Sequence, residues 1–244
     1  MPKHERFRFY FSFRSPFAGI AFYRLRRFPQ FNDFDIELIP LWPENIFGGH
    51  MDNPTDNLFK MVYIFNDAAR QAEEAGLSPE YFRNLASNFK LPAELDYSKQ
   101  KVGLTMQPEN WSLTHHAFLY AMETGKGWAF GDEIFNRRFN FDGKGAENVM
   151  DPEVIGKIAT ESGLDADKAI NARASGIYDQ QQAAMVKSGE TDGVFGVPFF
   201  AVDCADTTEV FWGNDHLGFL LKTLTDASSL PILTAADLTR VQRQ

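Results

Sequence analysis

The sequence predicts an α/β fold in which a β-α-β opening and a β-β-α close share one sheet around a large all-helical insertion. Three observations predict it. Residues 7–13 alternate apolar and polar side chains with a period of two. Residues 46–190 carry helical spacings and helix-start devices but no strand pattern, and two short β-type runs followed by an amphipathic helix close the chain.

Each element has its own signal. In Phe-Arg-Phe-Tyr-Phe-Ser-Phe, residues 7–13, Phe7, Phe9, Phe11 and Phe13 fall on one face and Arg8, Tyr10 and Ser12 on the other. Arg14-Ser15-Pro16 breaks the alternation; Ser is a favoured helix N-cap and Pro a favoured first helical residue, so a helix follows from Pro16 to Phe28. Its Arg24–Arg27 run reads as a solvated helix face. Residues 34–41 form a second strand, completing a βαβ unit with a parallel pair. Leu58, Met61, Val62, Phe65, Ala69 and Ala72 mark a helix over 57–75 that stops at Gly76. Ser78-Pro79-Glu80 and Asp151-Pro152-Glu153 are cap-plus-proline starts. Residues 112–123 and 165–187 are helical, with an interruption at Gly176. Phe199–Asp203 and Glu209–Trp212 flank a polar turn as in a hairpin, and Leu217, Leu220, Leu221 and Leu224 give the final helix its apolar stripe. This order is that of a thioredoxin-like fold, with residues 1–45 and 191–244 forming the sheet domain and 46–190 a helical insertion domain.

Composition narrows the function classes. The 244 residues include 24 phenylalanines, so the core is aromatic-rich, and the formal charge of −9 argues against a phosphate-backbone partner such as nucleic acid. No run of 18 apolar residues suggests a membrane span, and no apolar leader segment is visible, so a soluble cytoplasmic protein is expected. One cysteine, Cys204, excludes an intrachain disulfide and a Cys-x-x-Cys centre. His115 and His116 are adjacent on a helix and point about 100° apart, so no metal site is expected there.

Three segments converge in such a fold: the Ser15 turn, Gly196-Val197-Pro198 at the mouth of the third strand, and Gly213-Asn214-Asp215 at the start of the last helix. A helix N-terminus gathers free N–H groups and partial positive charge, and a Ser hydroxyl there adds a donor for an anion such as a thiolate. Ser15 is equally a plain cap. Pro198 is either an edge-strand proline or a cis residue that presents the Val197 backbone to a peptide-like ligand; the isomer is left open by the sequence. Asn214 and Asp215 are ordinary helix-start residues that also suit a zwitterion.

The stretches Phe9–Phe17, Gly193–Asp203 and Phe211–Asp215, with a weaker match at Asp52-Asn53-Pro54, resemble the family of kappa-class glutathione transferases and 2-hydroxychromene-2-carboxylate isomerases, within the DsbA-like group. The resemblance implies a glutathione-dependent isomerase or transferase acting on a small hydrophobic or aromatic electrophile. It implies that the Ser15 hydroxyl bonds the glutathione sulfur, that Val197 binds the cysteinyl backbone beside a cis Pro198, and that Asn214 and Asp215 hold the γ-glutamyl end. Asn53 is implied at the glycyl side or the pocket rim, and the assembly is implied to be a homodimer. In the isomerase case the thiolate adds to a conjugated carbon, a bond rotates and the thiol is expelled. Arg14, where the family more often has an apolar residue, reads as solvent-facing, and the stretch from Trp42 to Gln107 departs from the isomerase pattern. A non-catalytic thiol or small-ligand binder is the alternative. Thiol–disulfide exchange is disfavoured because the Ser15–Ala18 turn has no cysteine.

Overall fold

The computed structural model describes residues 5–41, 58–88 and 111–225. Strand β1 (Arg6–Phe11), helix α1 (Pro16–Arg27) and strand β2 (Asp35–Pro40) open it, and β1 and β2 run parallel with Phe9 opposite Leu38. Seven helices follow among the described residues: α2 (Leu58–Glu74), α3 (Glu80–Asn88), α4 (Ser112–Glu123), α5 (Gly127–Phe139), α6 (Pro152–Glu161), α7 (Ala166–Asn171) and α8 (Asp179–Thr191). An antiparallel hairpin of β3 (Phe199–Asp203) and β4 (Thr208–Trp212) and helix α9 (Leu217–Thr225) complete the order. The sheet runs β2-β1-β3-β4, so β3 lies beside β1 although most of the chain separates them. The expected Asp151 cap is present, its carboxylate accepting from the Glu153 amide at 2.8 Å, and Asp165 caps α7 by accepting from Lys168 N–H at 3.1 Å. Gly176, at φ +67°, separates α7 from α8.

One sheet face is a continuous aromatic layer. Phe9 stacks on Phe200 at 5.2 Å and on Phe11 at 5.1 Å, and Phe7, Phe13, Phe22, Phe118 and Phe135 close around them, all buried. Each such ring contributes about 1.5–3 kcal/mol relative to exposure. Side chains from α1, α4, α5, α6 and α9 join this one cluster, so the helices between β2 and β3 share a core with the sheet.

One sequence expectation, the solvated Arg24–Arg27 face, is corrected here, and the structure adds two features to the sequence reading. The second face of β1 is not a solvated polar face: Tyr10 and Ser12 are buried, and Met185 and Val186 of α8 pack against the cluster that holds Tyr10. Its polar groups are satisfied internally, Tyr10 donating to Asp192 at 2.6 Å and sharing a hydrogen with Ser188 at 2.7 Å. Arg8 is clasped between Asp192 (2.6 Å) and Asp203 (2.5 Å). The Arg24–Arg27 run is likewise not a solvated helix face. Arg24 is buried and paired with Glu74, Arg26 pairs with Asp132 of α5, and Arg27 lies over the Tyr23 ring at 4.4 Å. Helix α5 carries no signal of its own in the sequence, since Gly127 and Gly131 interrupt its apolar pattern; yet it supplies Phe130, Ile134, Phe135 and Phe139 to the core.

Those glycines exist for close approach. A Cβ at Gly19 of α1 would sit 2.7 Å from the Phe135 ring of α5, and one at Gly131 of α5 would sit 2.5 Å from the Phe22 ring of α1. Each helix thus seats an aromatic knob over the other's glycine. Phe22 cannot swing aside, because Phe11 (5.5 Å), Trp128 (4.7 Å) and Phe135 (5.4 Å) hold its ring. Gly131→Ala gains about 1 kcal/mol of helix propensity but overpacks this crossing at about 1–3 kcal/mol. A net loss of about 1–2 kcal/mol is expected, read as a lowered midpoint in urea with unchanged slope; an unchanged or raised midpoint would refute the crossing.

Candidate functional site

The Ser15 turn is built from backbone amides with assigned acceptors. After β1 ends, Phe13 N–H donates to His115 Nε2 (3.5 Å), Arg14 N–H to Ser12 Oγ (3.3 Å) and Ser15 N–H to the Ser12 carbonyl (3.0 Å). Ser15 then caps α1: its Oγ accepts from the Ala18 amide at 3.2 Å, with Pro16 at the first helical position. The same hydroxyl donates to the Val197 carbonyl at 3.4 Å, and the Val197–Pro198 bond is cis. One atom thus caps α1 and donates to the mouth of β3.

The circuit closes through the last segment. The Pro198 carbonyl accepts from Gly213 N–H at 3.0 Å, and Asn214 Nδ2 donates to the Phe17 carbonyl of α1 at 2.8 Å. Since a carbonyl only accepts, the Asn214 amide must turn its nitrogen to Phe17. That leaves Oδ1 buried and without a hydrogen-bond partner, at a residue 5% exposed. Gly213 takes φ +94°, a left-handed conformation that L side chains rarely adopt, and a Cβ there would run into the Asp215 carboxylate. Asn214 and Asp215 stand in a 3-10 turn, Asn214–His216, that precedes α9 rather than in the helix itself. The Asp215 carboxylate is exposed, 3.4 Å from His216 Nδ1.

The structure thus brings together Ser15, Val197, Pro198 and Asn214, with Asp215 at the solvent edge of the same turn; Asn53 lies outside the described residues. The Trp42–Asn45 stretch lies outside them as well. Arg14 is half-buried rather than solvent-facing. Next to Val197, the Phe195 and Trp212 rings meet at 5.1 Å, tilted by 57°, and are 61% and 51% exposed, an aromatic ledge beside the cis peptide. Cys204 sits in the β3–β4 turn, where its amide donates to the Thr207 carbonyl. Among the described residues no three His, Cys, Asp or Glu side chains gather as metal ligands, and no helix is long and apolar enough to cross a membrane.

The family model of the DSBA-like thioredoxin domain matches residues 7–225. The chain belongs to this family. Among solved structures, 2-hydroxychromene-2-carboxylate isomerase shares the DsbA-like fold with a TM-score of 0.60 at 21% identity, over 89% of this chain and 93% of that one. A probable DsbA oxidoreductase from Streptomyces coelicolor gives 0.57 at 18% identity over 94% and 93%. The cytosolic disulfide reductase DsbM from Pseudomonas aeruginosa, solved with GSH, gives 0.54 at 16% identity over 84% and 89%. No curated protein sequence matches this DsbA-like chain.

The group that sequence reasoning passed over is His115. Its ring is fully buried against Phe13 at 5.1 Å, and burial pushes its pKa down to about 3. His116, the next residue, works in the same direction as burial, and the bond to the Trp111 carbonyl works against it. An unfolded His binds its proton near pH 6.5, so between about pH 6.5 and 3 the unfolded chain carries the extra proton and stability rises with pH. The contribution is complete above pH 6.5 and is lost as pH falls toward 3. In urea titrations the loss of unfolding free energy from pH 7 to pH 4.5 should be smaller in His115→Gln than in wild type; parallel curves would contradict a neutral His115.

Proposed function

We propose that this DsbA-like protein is a glutathione-dependent isomerase or transferase acting on a small hydrophobic or aromatic electrophile, with Ser15 as the hydrogen-bond donor to the glutathione sulfur. The observation that carries the reading is the Ser15 hydroxyl at the start of α1, aimed at the carbonyl of the cis Val197–Pro198 peptide 3.4 Å away. A ligand strand laid along Val197 takes over that carbonyl as its own acceptor. The hydroxyl hydrogen is then released toward a stronger acceptor at the helix N-terminus.

The residues fit the tripeptide. Asn214 Oδ1, buried and unpartnered, offers an acceptor for an ammonium or amide N–H, and the exposed Asp215 carboxylate offers a charge for an ammonium. Val197 offers a backbone edge, and Asn53 is proposed at the opposite end of the ligand. Bound glutathione would supply the nucleophilic sulfur that the Ser15 turn lacks. The chain's part is to hold that sulfur at the positive end of α1, to donate from Ser15, and to exclude alternative orientations. The Phe195–Trp212 ledge beside Val197 offers an apolar face to an aromatic substrate. Disulfide exchange by the chain itself would need an attacking thiolate at the turn; Cys204, its single cysteine, lies in the β3–β4 turn instead.

The test is an ultraviolet titration of the glutathione thiolate from pH 5 to 9, with and without protein. The bound thiol should titrate well below its free value of about 8.5 in wild type and return toward it in Ser15→Ala, with affinity changed by less than about tenfold. A bound thiol that titrates like the free one would refute the activation. Asp215→Asn, at an exposed position, should leave the melting temperature unchanged and weaken glutathione binding about tenfold by calorimetry, the value of one charge-assisted hydrogen bond. Unaltered affinity would remove Asp215 from the site.

A further inference from the structure

We infer that His115 is a positioning residue for the Ser15 turn: a permanently neutral, single-tautomer acceptor that fixes the Phe13 amide and so aims the Ser15 hydroxyl. As far as it concerns glutathione, the inference rests on the reading of Ser15 given above.

Two neighbours decide the state of the ring. The Trp111 carbonyl, one helical turn back, lies 2.8 Å from Nδ1, and a carbonyl only accepts, so Nδ1 carries the hydrogen. The Phe13 N–H lies 3.5 Å from Nε2, and an amide only donates, so Nε2 is bare. A ring that donates at one nitrogen and accepts at the other is a neutral imidazole in one tautomer. Protonation would set an N–H against the Phe13 N–H, and the surroundings oppose it: His115 is fully buried and has His116 beside it.

Phe13 is where the turn needs an external acceptor. The two amides after it are satisfied within the turn, by the Ser12 hydroxyl and the Ser12 carbonyl, whereas the Phe13 amide reaches 102 residues along the chain to α4. Phe13 is itself buried, with its ring against His115 (5.1 Å), Phe118 (5.2 Å) and Phe135 (4.8 Å). Removing the acceptor leaves a buried N–H without a partner, and the turn must shift to find one. Two residues on, the Ser15 hydroxyl moves with it.

Three substitutions separate the roles. His115→Gln places a carbonyl oxygen near the Nε2 position and can still accept from Phe13. His115→Asn reaches only as far as Trp111, and His115→Phe keeps ring volume with no acceptor. Hydrogen exchange at the Phe13 amide should speed up about tenfold in the Asn and Phe variants and stay within about twofold of wild type in the Gln variant. The thiolate pKa of bound glutathione should rise in the same two variants and be restored by Gln. In unaltered protein, imidazole 15N shifts of His115 at pH 7 should show hydrogen on Nδ1 and none on Nε2. This last measurement decides the matter even if the Phe variant does not fold. A proton on Nε2, equal Phe13 exchange in wild type and His115→Phe, or a Gln variant as impaired as the Phe variant would overturn the inference. If wild type fails to bind glutathione, the function proposed above falls, while the exchange and tautomer results still judge the role of His115.

Discussion

The crossing of α1 over α5 is the constraint on which the remaining structure depends. Phe135 seats over Gly19 and Phe22 over Gly131, which brings two helices close enough that their aromatic side chains reach the sheet and each other at once. Packing at such density leaves no slack, so the axis of α1 is set by contacts with a helix more than 100 residues away in the chain. Because the cap of α1 is Ser15, the same contacts set where its hydroxyl stands. The Arg26–Asp132 pair ties the last turn of α1 to α5 beside Gly131.

The candidate site is assembled largely from backbone groups. The cis peptide of Val197–Pro198, the Gly213 amide on the Pro198 carbonyl, and the Phe17 carbonyl held by Asn214 join the start of α1, the mouth of β3 and the turn before α9. Each polar link is short and local, while the parts linked lie at opposite ends of the sequence. Such a site tolerates wide variation in the surrounding helices, and the DsbA-like relatives with 16–21% identity keep the fold with different chemistry named for them. The buried Asn214 Oδ1 stands out in this circuit as an acceptor without a hydrogen-bond partner, the kind of vacancy that a ligand N–H removes.

On the other face of the sheet, a polar network does the work that the aromatic layer does on the first. Arg8 holds Asp192 at the end of α8 and Asp203 at the end of β3, and its guanidinium keeps the Asp203 carboxyl down to about 2. Burial, together with the bond to Asp192, pushes the Tyr10 hydroxyl above its ordinary range, so it remains a donor. Asp192 at a helix C-terminus opposes the helix dipole, and Arg8 offsets that. The network anchors α8 where the chain turns toward Val197, and so fixes the approach of the cis peptide to Ser15.

How much of this was legible beforehand follows from the range of the interactions. The period-two phenylalanines of β1, the Ser15-Pro16 and Asp151-Pro152 helix starts, the stop at Gly176 and the leucine stripe of α9 are set by side chains within a few residues of one another, and all were readable in the sequence. The convergence of Ser15, Val197-Pro198 and Asn214 followed from element order once the sheet was inferred. The sequence could not give the burial of Tyr10, Ser12 and Arg24, because the covering residues lie in α8 and α2. Helix α5 was hidden for the same reason, since Gly127 and Gly131 weaken the local pattern where Met122 of α4 and the Phe22 ring of α1 approach. Nor did the adjacent pair His115-His116 reveal that one ring would meet the Phe13 amide. Local propensity and periodicity are written in neighbours along the chain; burial, tautomer and the isomer of a proline bond are decided by partners that only the folded chain brings within a few ångströms.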